Sequence, residues 1–163
     1  MNTHTIGDII LDEASIAAGV RNVAAQLSQD YTDAVVITVV PGGILYTADL
    51  TRQLHFDINM DYISCPHTPG ERNNSSAIVY HQNIQIENRH VILIDDAIES
   101  GGTMKRLVEY AVAVLFVKPG RVTIPAKLYY AYEMENDDLL VGYGMPWEDK
   151  YRNRPNVAKL ITE

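Results

Sequence analysis

Two short apolar runs set the limits on what this chain can become. Residues 34–40 (Ala-Val-Val-Ile-Thr-Val-Val) and 91–94 (Val-Ile-Leu-Ile) are almost continuous in β-branched and aliphatic side chains. A strand with one wet face alternates apolar and polar residues. A run without alternation is a strand covered on both faces, as in a parallel sheet packed between helices. Each run ends in chemically distinctive residues: Pro41-Gly42-Gly43 after the first, Asp95-Asp96 after the second. Ahead of them Ile16, Val20, Val23 and Leu27 recur at helical spacing, with Asp12 or Ser15 placed to cap the helix start. Residues 44–54 predict a second helix and residues 57–64 a strand. Beyond residue 94 the pattern predicts a helix with Met104, Leu107, Val108 and Ala111 on one face. A strand over residues 122–128 and a short one over 139–141 complete the series. This alternation predicts an α/β fold with a mostly parallel central sheet flanked by helices.

A length of 163 residues, without internal repeat or Gly/Ser-rich linker, predicts a single domain over residues 1–163. No apolar stretch reaches the ~20 residues that span a bilayer, and the start lacks a basic leader followed by an apolar run. A cytoplasmic protein without membrane association is expected. Thirteen Lys and Arg against 21 Asp and Glu give a net charge of −8. That balance repels a phosphate backbone, so no nucleic-acid partner is expected. A local basic pocket for a small phosphorylated ligand remains compatible with it. The single cysteine, Cys65, excludes an internal disulfide and a multi-cysteine metal cluster; it reads as a small buried residue. Residues 65–76, with two prolines and Arg72-Asn73-Asn74-Ser75-Ser76, read as a long loop, either a cover for a site or plain solvent-facing chain.

The richest segment is Asp95-Asp96-Ala97-Ile98-Glu99-Ser100-Gly101-Gly102-Thr103. A buried strand delivers two adjacent carboxylates to its carboxyl end, where open parallel sheets bind ligands. The Ser-Gly-Gly-Thr turn then enters a helix start, where backbone N–H groups and two hydroxyls can cradle a phosphate. The carboxylates would repel that phosphate. They suit neutral hydroxyls instead, or a magnesium ion held through water. The segment therefore asks for a ligand with a phosphate at one end and a diol nearby, the layout of a ribose 5-phosphate. The plainer alternative is a capped helix following a strand, with exposed acids between them.

Three ordered stretches resemble the type I phosphoribosyltransferases, and two of them their hypoxanthine-guanine branch. VILIDDAIESGGTM is similar to the family's phosphoribosyl pyrophosphate motif. VVPGGILYTADLTRQL resembles the pyrophosphate loop and its following helix, and LLVGYGMPWEDKYRNRPNV the carboxyl-terminal strand and tail. The likeness runs from about residue 35 onward. It implies the family's fold with a small, trimmed hood, because the stretch between Lys127 and Leu139 is short. It also implies transfer of a phosphoribosyl group to hypoxanthine or guanine, with Mg2+ required, in a homodimer or homotetramer.

The resemblance assigns residues one by one. Asp95 and Asp96 hold the ribose hydroxyls, and Mg2+ through water. Ser100, Gly101, Gly102 and Thr103 bind the 5′-phosphate. Glu99 takes the place of the branch's usual Asp near N7 of the base, as the catalytic acid. Val40, Pro41, Gly42, Gly43 and Arg152 face pyrophosphate. Proline at 41 makes a cis Val40–Pro41 bond inexpensive, and that bond is expected here. Lys127 is assigned to O6 of the base, where an ammonium favours a 6-oxopurine over adenine. Leu139 stands where the branch stacks an aromatic ring, beside Leu140. Pro146 stands where the branch has a metal-associated Asp. Trp147 offers an alternative stacking face or an anchor for the tail, and Glu148 a carboxylate that can compensate at the metal. The departures at Pro41, Glu99, Leu139 and Pro146 keep a second reading open, a catalytically weak sensor of phosphoribosyl pyrophosphate; a xanthine-preferring transferase is a third.

Overall fold

The computed structural model describes residues 3–66, 77–98, 110–118 and 127–163. Strand β1 (His4–Leu11) leads into helix α1 (Glu13–Asp30), whose N-cap Asp12 accepts a 2.7 Å hydrogen bond from Ser15 N. Strand β2 (Asp33–Val40), helix α2 (Ile44–Thr51) and strand β3 (Asp57–Ser64) follow, close to the predicted spans. Strand β4 (Val91–Ile94) coincides with the second apolar run. Short strands complete the chain: β5 (Ala97–Ile98), β6 (Ala111–Ala113), β7 (Phe116–Val117), β8 (Leu128–Tyr129), β9 (Tyr132–Glu133), β10 (Leu140–Val141) and β11 (Val157–Thr162).

The central sheet is parallel, in the order β3-β2-β4-β6-β8. Both its faces are covered, as the unbroken apolar runs require. Ala34, Val36, Ile92 and Ile94 join the core beneath α1 and α2. Val35, Ile37, Val39, Val91 and Leu93 face a second cluster, against which Ile78, Tyr80, Ile84 and Ile86 pack. Asp61 of β3, only 5% exposed, fastens that covering segment. Its carboxylate accepts from Asn83 N, Asn83 Nδ2 and Ile84 N at 2.8–3.1 Å.

Strands β4, β6 and β8 do not end where their ladders stop. Each is interrupted for two residues and resumes as β5, β7 and β9, which form a second parallel sheet in that order. The breaks fall side by side at 95–96, 114–115 and 130–131, stitched by Asp95 N to Ala113 O, Leu115 N to Asp96 O and Ala131 N to Leu115 O. An irregularity of this kind re-aims side chains that a regular strand would bury. An antiparallel sheet of order β1-β11-β10 builds the hood.

Two expectations are corrected. Ala111, placed on a helix face by its spacing, begins strand β6; residues 99–109, the rest of that predicted helix, lie outside the described residues. The strand predicted over 122–128 is observed at β8 (Leu128–Tyr129), with residues 121–126 outside the description. The hood strands β1 and β11 were not anticipated, because their residues alternate too loosely to give a periodic pattern.

Candidate active site

The acidic doublet sits in the sheet break between β4 and β5. Each carboxylate turns back to accept from the next amide: Asp95 Oδ1 from Asp96 N at 2.8 Å, Asp96 Oδ1 from Ala97 N at 2.7 Å. Burial of its carboxyl, and then the adjacent Asp96 charge, push the Asp95 carboxyl well above the usual carboxylate range. Negative charge is thus crowded at a point where a cation or a set of hydroxyl donors would relieve it.

The two-glycine loop lies against this doublet, and the Val40–Pro41 peptide within it is cis, as expected. A Cβ on Gly42 would stand 3.1 Å from Asp96 Oδ2 and 3.4 Å from Asp95 Oδ1. One on Gly43 would stand 2.7 Å from Val39 O and 2.9 Å from Ile94 O. Only residues without a side chain bring the loop this close to the β4 terminus. Cys65, buried as expected, donates its amide to Val40 O at 2.8 Å and ties the loop to the end of β3.

The tail closes the third side. Gly144 has φ +100°, and a Cβ there would lie 2.0 Å from Gly42 O. Its carbonyl accepts from Arg152 Nη1 at 2.7 Å, and its amide donates to Arg152 O at 2.8 Å. Burial lowers the Arg152 pKa, while the charges of Asp96, Asp149 and Asp95 oppose that shift. Asp95, Asp96, Gly42, Gly43 and Arg152, drawn from three separate stretches of sequence, therefore meet through Gly144, which the sequence reading did not single out. The tail repeatedly adopts left-handed backbone, at Gly142, Tyr143, Gly144, Glu148, Asp149 and Tyr151. Non-glycine residues hold that conformation only where surrounding contacts over-determine it. One such contact is the Tyr143 hydroxyl, which donates to Asp49 of α2.

The remaining assigned residues divide. Glu99, Ser100, Gly101, Gly102 and Thr103 lie outside the described residues, as does Arg72 of the long loop. Trp147 turns toward β1: its indole N–H donates to His4 Nε2 at 3.0 Å, and the two rings meet edge to face. Glu148 lies 3.8 Å from the same imidazole. The Trp147 side chain therefore acts as a tail anchor here. Pro146 is half-buried between Met145 and Trp147. Leu139 is half-buried and its carbonyl accepts from Leu160 N at 2.8 Å, while the Leu140 side chain belongs to the core.

Lys127 is not brought to the doublet. It precedes β8, and Leu128 is level with Val112 and hence with Leu93. At ~3.3 Å per residue, that register sets Lys127 roughly 10 Å below Asp95. Its ammonium pairs with Asp30 at the end of α1, over the ring of Tyr129. Among the described residues, the lysine at the doublet's end of the sheet is Lys118, directly after β7. Its amide donates to Ile98 O, and its side chain is 2% exposed against 62% for Lys127. Lys118 Nζ donates to Asp138 O and lies 3.8 Å from Asp137 Oδ1. The signal was present in Val112-Ala113-Val114-Leu115-Phe116-Val117-Lys118-Pro119, an apolar run ending in Lys-Pro. Reading Ala111, the residue just ahead of the run, as part of a helix face concealed it.

Residues 7–115 match the family described as the phosphoribosyl transferase domain. The chain is 27% identical over 169 residues to a hypoxanthine-guanine phosphoribosyltransferase of Staphylococcus epidermidis, covering 96% of this chain and 94% of that one. It is 27% identical over 177 residues to the enzyme of that name from Streptococcus pneumoniae, covering 100% and 98%. A crystal structure of a hypoxanthine-guanine phosphoribosyltransferase from Bacillus anthracis, with a HEPES molecule in its active site, superposes with a TM-score of 0.81. That alignment has 29% identity and covers 98% of this chain and 99% of that one.

Proposed function

This chain belongs to the phosphoribosyl transferase family, and on that premise we propose that it transfers the phosphoribosyl group of phosphoribosyl pyrophosphate to hypoxanthine or guanine. The observation that carries the reading is the meeting of the acidic doublet, the Gly42-Gly43 loop and Arg152, with a buried ammonium, Lys118, at the same end of the sheet. The bond between C1′ and the pyrophosphate oxygen breaks as a ring nitrogen of the base bonds to C1′. Negative charge collects on the departing pyrophosphate. In this reading the Val40–Gly43 loop and Arg152 receive it, because preorganised donors stabilise charge that develops during a reaction. Asp95 and Asp96 accept from the ribose hydroxyls, Ser100 to Thr103 cradle the 5′-phosphate, and Glu99 exchanges the proton at N7.

Lys118 replaces Lys127 as the donor to O6. Leu139 covers one face of the ring, and Leu140 contributes its main chain. The crowded charge of the doublet fits Mg2+, held by Asp95 and Asp96 through water. Bound there, the ion would supply positive charge to the pyrophosphate. The same reading includes a homodimer or homotetramer in the cytoplasm. Initial rates with hypoxanthine, guanine, xanthine and adenine, each with phosphoribosyl pyrophosphate and Mg2+, provide the test. Nucleotide should form from the first two and not from adenine. A dominant xanthine rate would move the substrate, and calorimetric binding of the activated sugar without turnover would leave a sensor.

A further inference from the structure

We propose that Asp137, together with the Lys159–Asp138 ion pair, is a positioning device that fixes the Lys118 ammonium and so sets the preference for 6-oxo over 6-amino purines. The proposal rests on the reading of Lys118 as the base-facing cation. A lysine ammonium is a compact charge with three donors on a flexible four-carbon stem, so it has little direction of its own. A donor that is to reject an amino group must be held. An ammonium able to swing aside would avoid adenine rather than repel it, and its rotamers would have to be ordered anew with each oxo substrate.

The structure supplies the constraint from outside the pocket. Lys118 Nζ donates to Asp138 O, and the Asp137 carboxylate, 3.8 Å away, gives a nearly inaccessible charge a counter-ion. Residues 137 and 138 lie between β9 and β10, where no ladder would keep them in place. Lys159 does so: its Nζ is 3.0 Å from Asp138 Oδ1, and it stands opposite Leu140 in the β10–β11 ladder. The next residue of β11, Leu160, donates its amide to Leu139 O at 2.8 Å. Strand β11 thus holds the segment, the segment aims the Asp138 carbonyl, and the carbonyl and Asp137 hold the ammonium.

Steady-state kinetics on the full chain test this, with Asp137→Asn, Asp137→Glu, Lys159→Met and Lys118→Met beside the parent. Asp137→Asn should raise KM for hypoxanthine and guanine about tenfold, the low end of the coupling between close, poorly accessible charge pairs. It should leave KM for phosphoribosyl pyrophosphate unchanged and shrink the oxo-to-amino ratio of kcat/KM. Asp137→Glu should restore part of the base KM, and Lys159→Met should act in the same direction more weakly. If Asp137→Asn and Lys159→Met leave base KM and that ratio within about twofold while Lys118→Met raises base KM, the positioning role is overturned and Lys118 keeps its place. A rise in both substrates' KM with Asp137→Asn likewise overturns it. If Lys118→Met leaves base KM unchanged, the reading of Lys118 itself falls and the proposal with it. Lys159 is 42% exposed on the hood, so its variant keeps the question decidable should Asp137→Asn fail to fold.

Discussion

At the scale of single residues, Asp61 and Asp95 are both acids in poorly solvated positions, and their neighbours drive them in opposite directions. Burial pushes the Asp61 carboxyl up, but donors from Asn83, Tyr62 and Ile84 outweigh that and hold it below the ordinary value. Its stabilisation is therefore present above the unfolded-state value, ~3.9, and is lost as pH falls through the lower folded value. Asp61→Ala should cost roughly 2–3 kcal/mol near neutral pH, because several part-buried hydrogen bonds to a charged acceptor are lost; urea unfolding from pH 3 to 8 checks this. Asp95 behaves inversely. Between the ordinary carboxylate value and its raised folded value the native protein holds a proton that the unfolded chain has released. Stability therefore declines as pH rises through that window. Asp95→Asn should raise the melting temperature at neutral pH, remove that decline, and weaken binding of phosphoribosyl pyrophosphate in calorimetry. A variant that lowers stability and leaves binding intact would contradict the assignment. The chemistry of such residues is legible in sequence. The direction of each shift depends on which donors the fold brings within reach.

At the scale of elements, glycine fixes two close approaches. In α1, a Cβ on Gly19 would lie 2.7 Å from Tyr132 Cε2 and 2.9 Å from Leu115 Cδ1. Gly→Ala in a helix gains about 1 kcal/mol from propensity alone. Here overpacking, at roughly 1–3 kcal/mol, should reverse the sign, so Gly19→Ala is expected to lower the melting temperature. In the tail, Gly144→Ala meets both the +100° φ and the Gly42 carbonyl. With the Val40–Gly43 loop in its proposed role, displacing it should reduce kcat/KM by ~100-fold, the effect of about 1 Å of misplacement, with little change in the far-UV circular dichroism spectrum. The long elements were readable because α1 and β2 carry clean 3.6-residue or continuous apolar patterns. The short ones from β5 to β10 were not. Two or three residues hold no period, and the left-handed run of the tail is imposed by contacts such as Tyr143 with Asp49.

For the whole molecule, the aligned breaks in three strands decide which side chains meet. They place Asp95 and Asp96 mid-sheet, and they let β7 carry Lys118 past them to the segment beneath the hood. Lys127, on the neighbouring strand, is spent on a surface pair with Asp30. Lys127→Met should therefore leave every substrate KM unchanged and produce only a small, salt-sensitive loss of stability. A raised base KM in that variant would restore it to the site. By itself the sequence determined the parallel α/β scaffold, the doublet, the two-glycine loop and the family likeness, because each is written in a contiguous stretch whose local chemistry has few other uses. Only the tertiary structure decided which of Lys118 and Lys127 lies at the doublet's end of the sheet and that Gly144 joins loop to tail. Strand register and chain return relate residues far apart in sequence, and no local pattern encodes that distance.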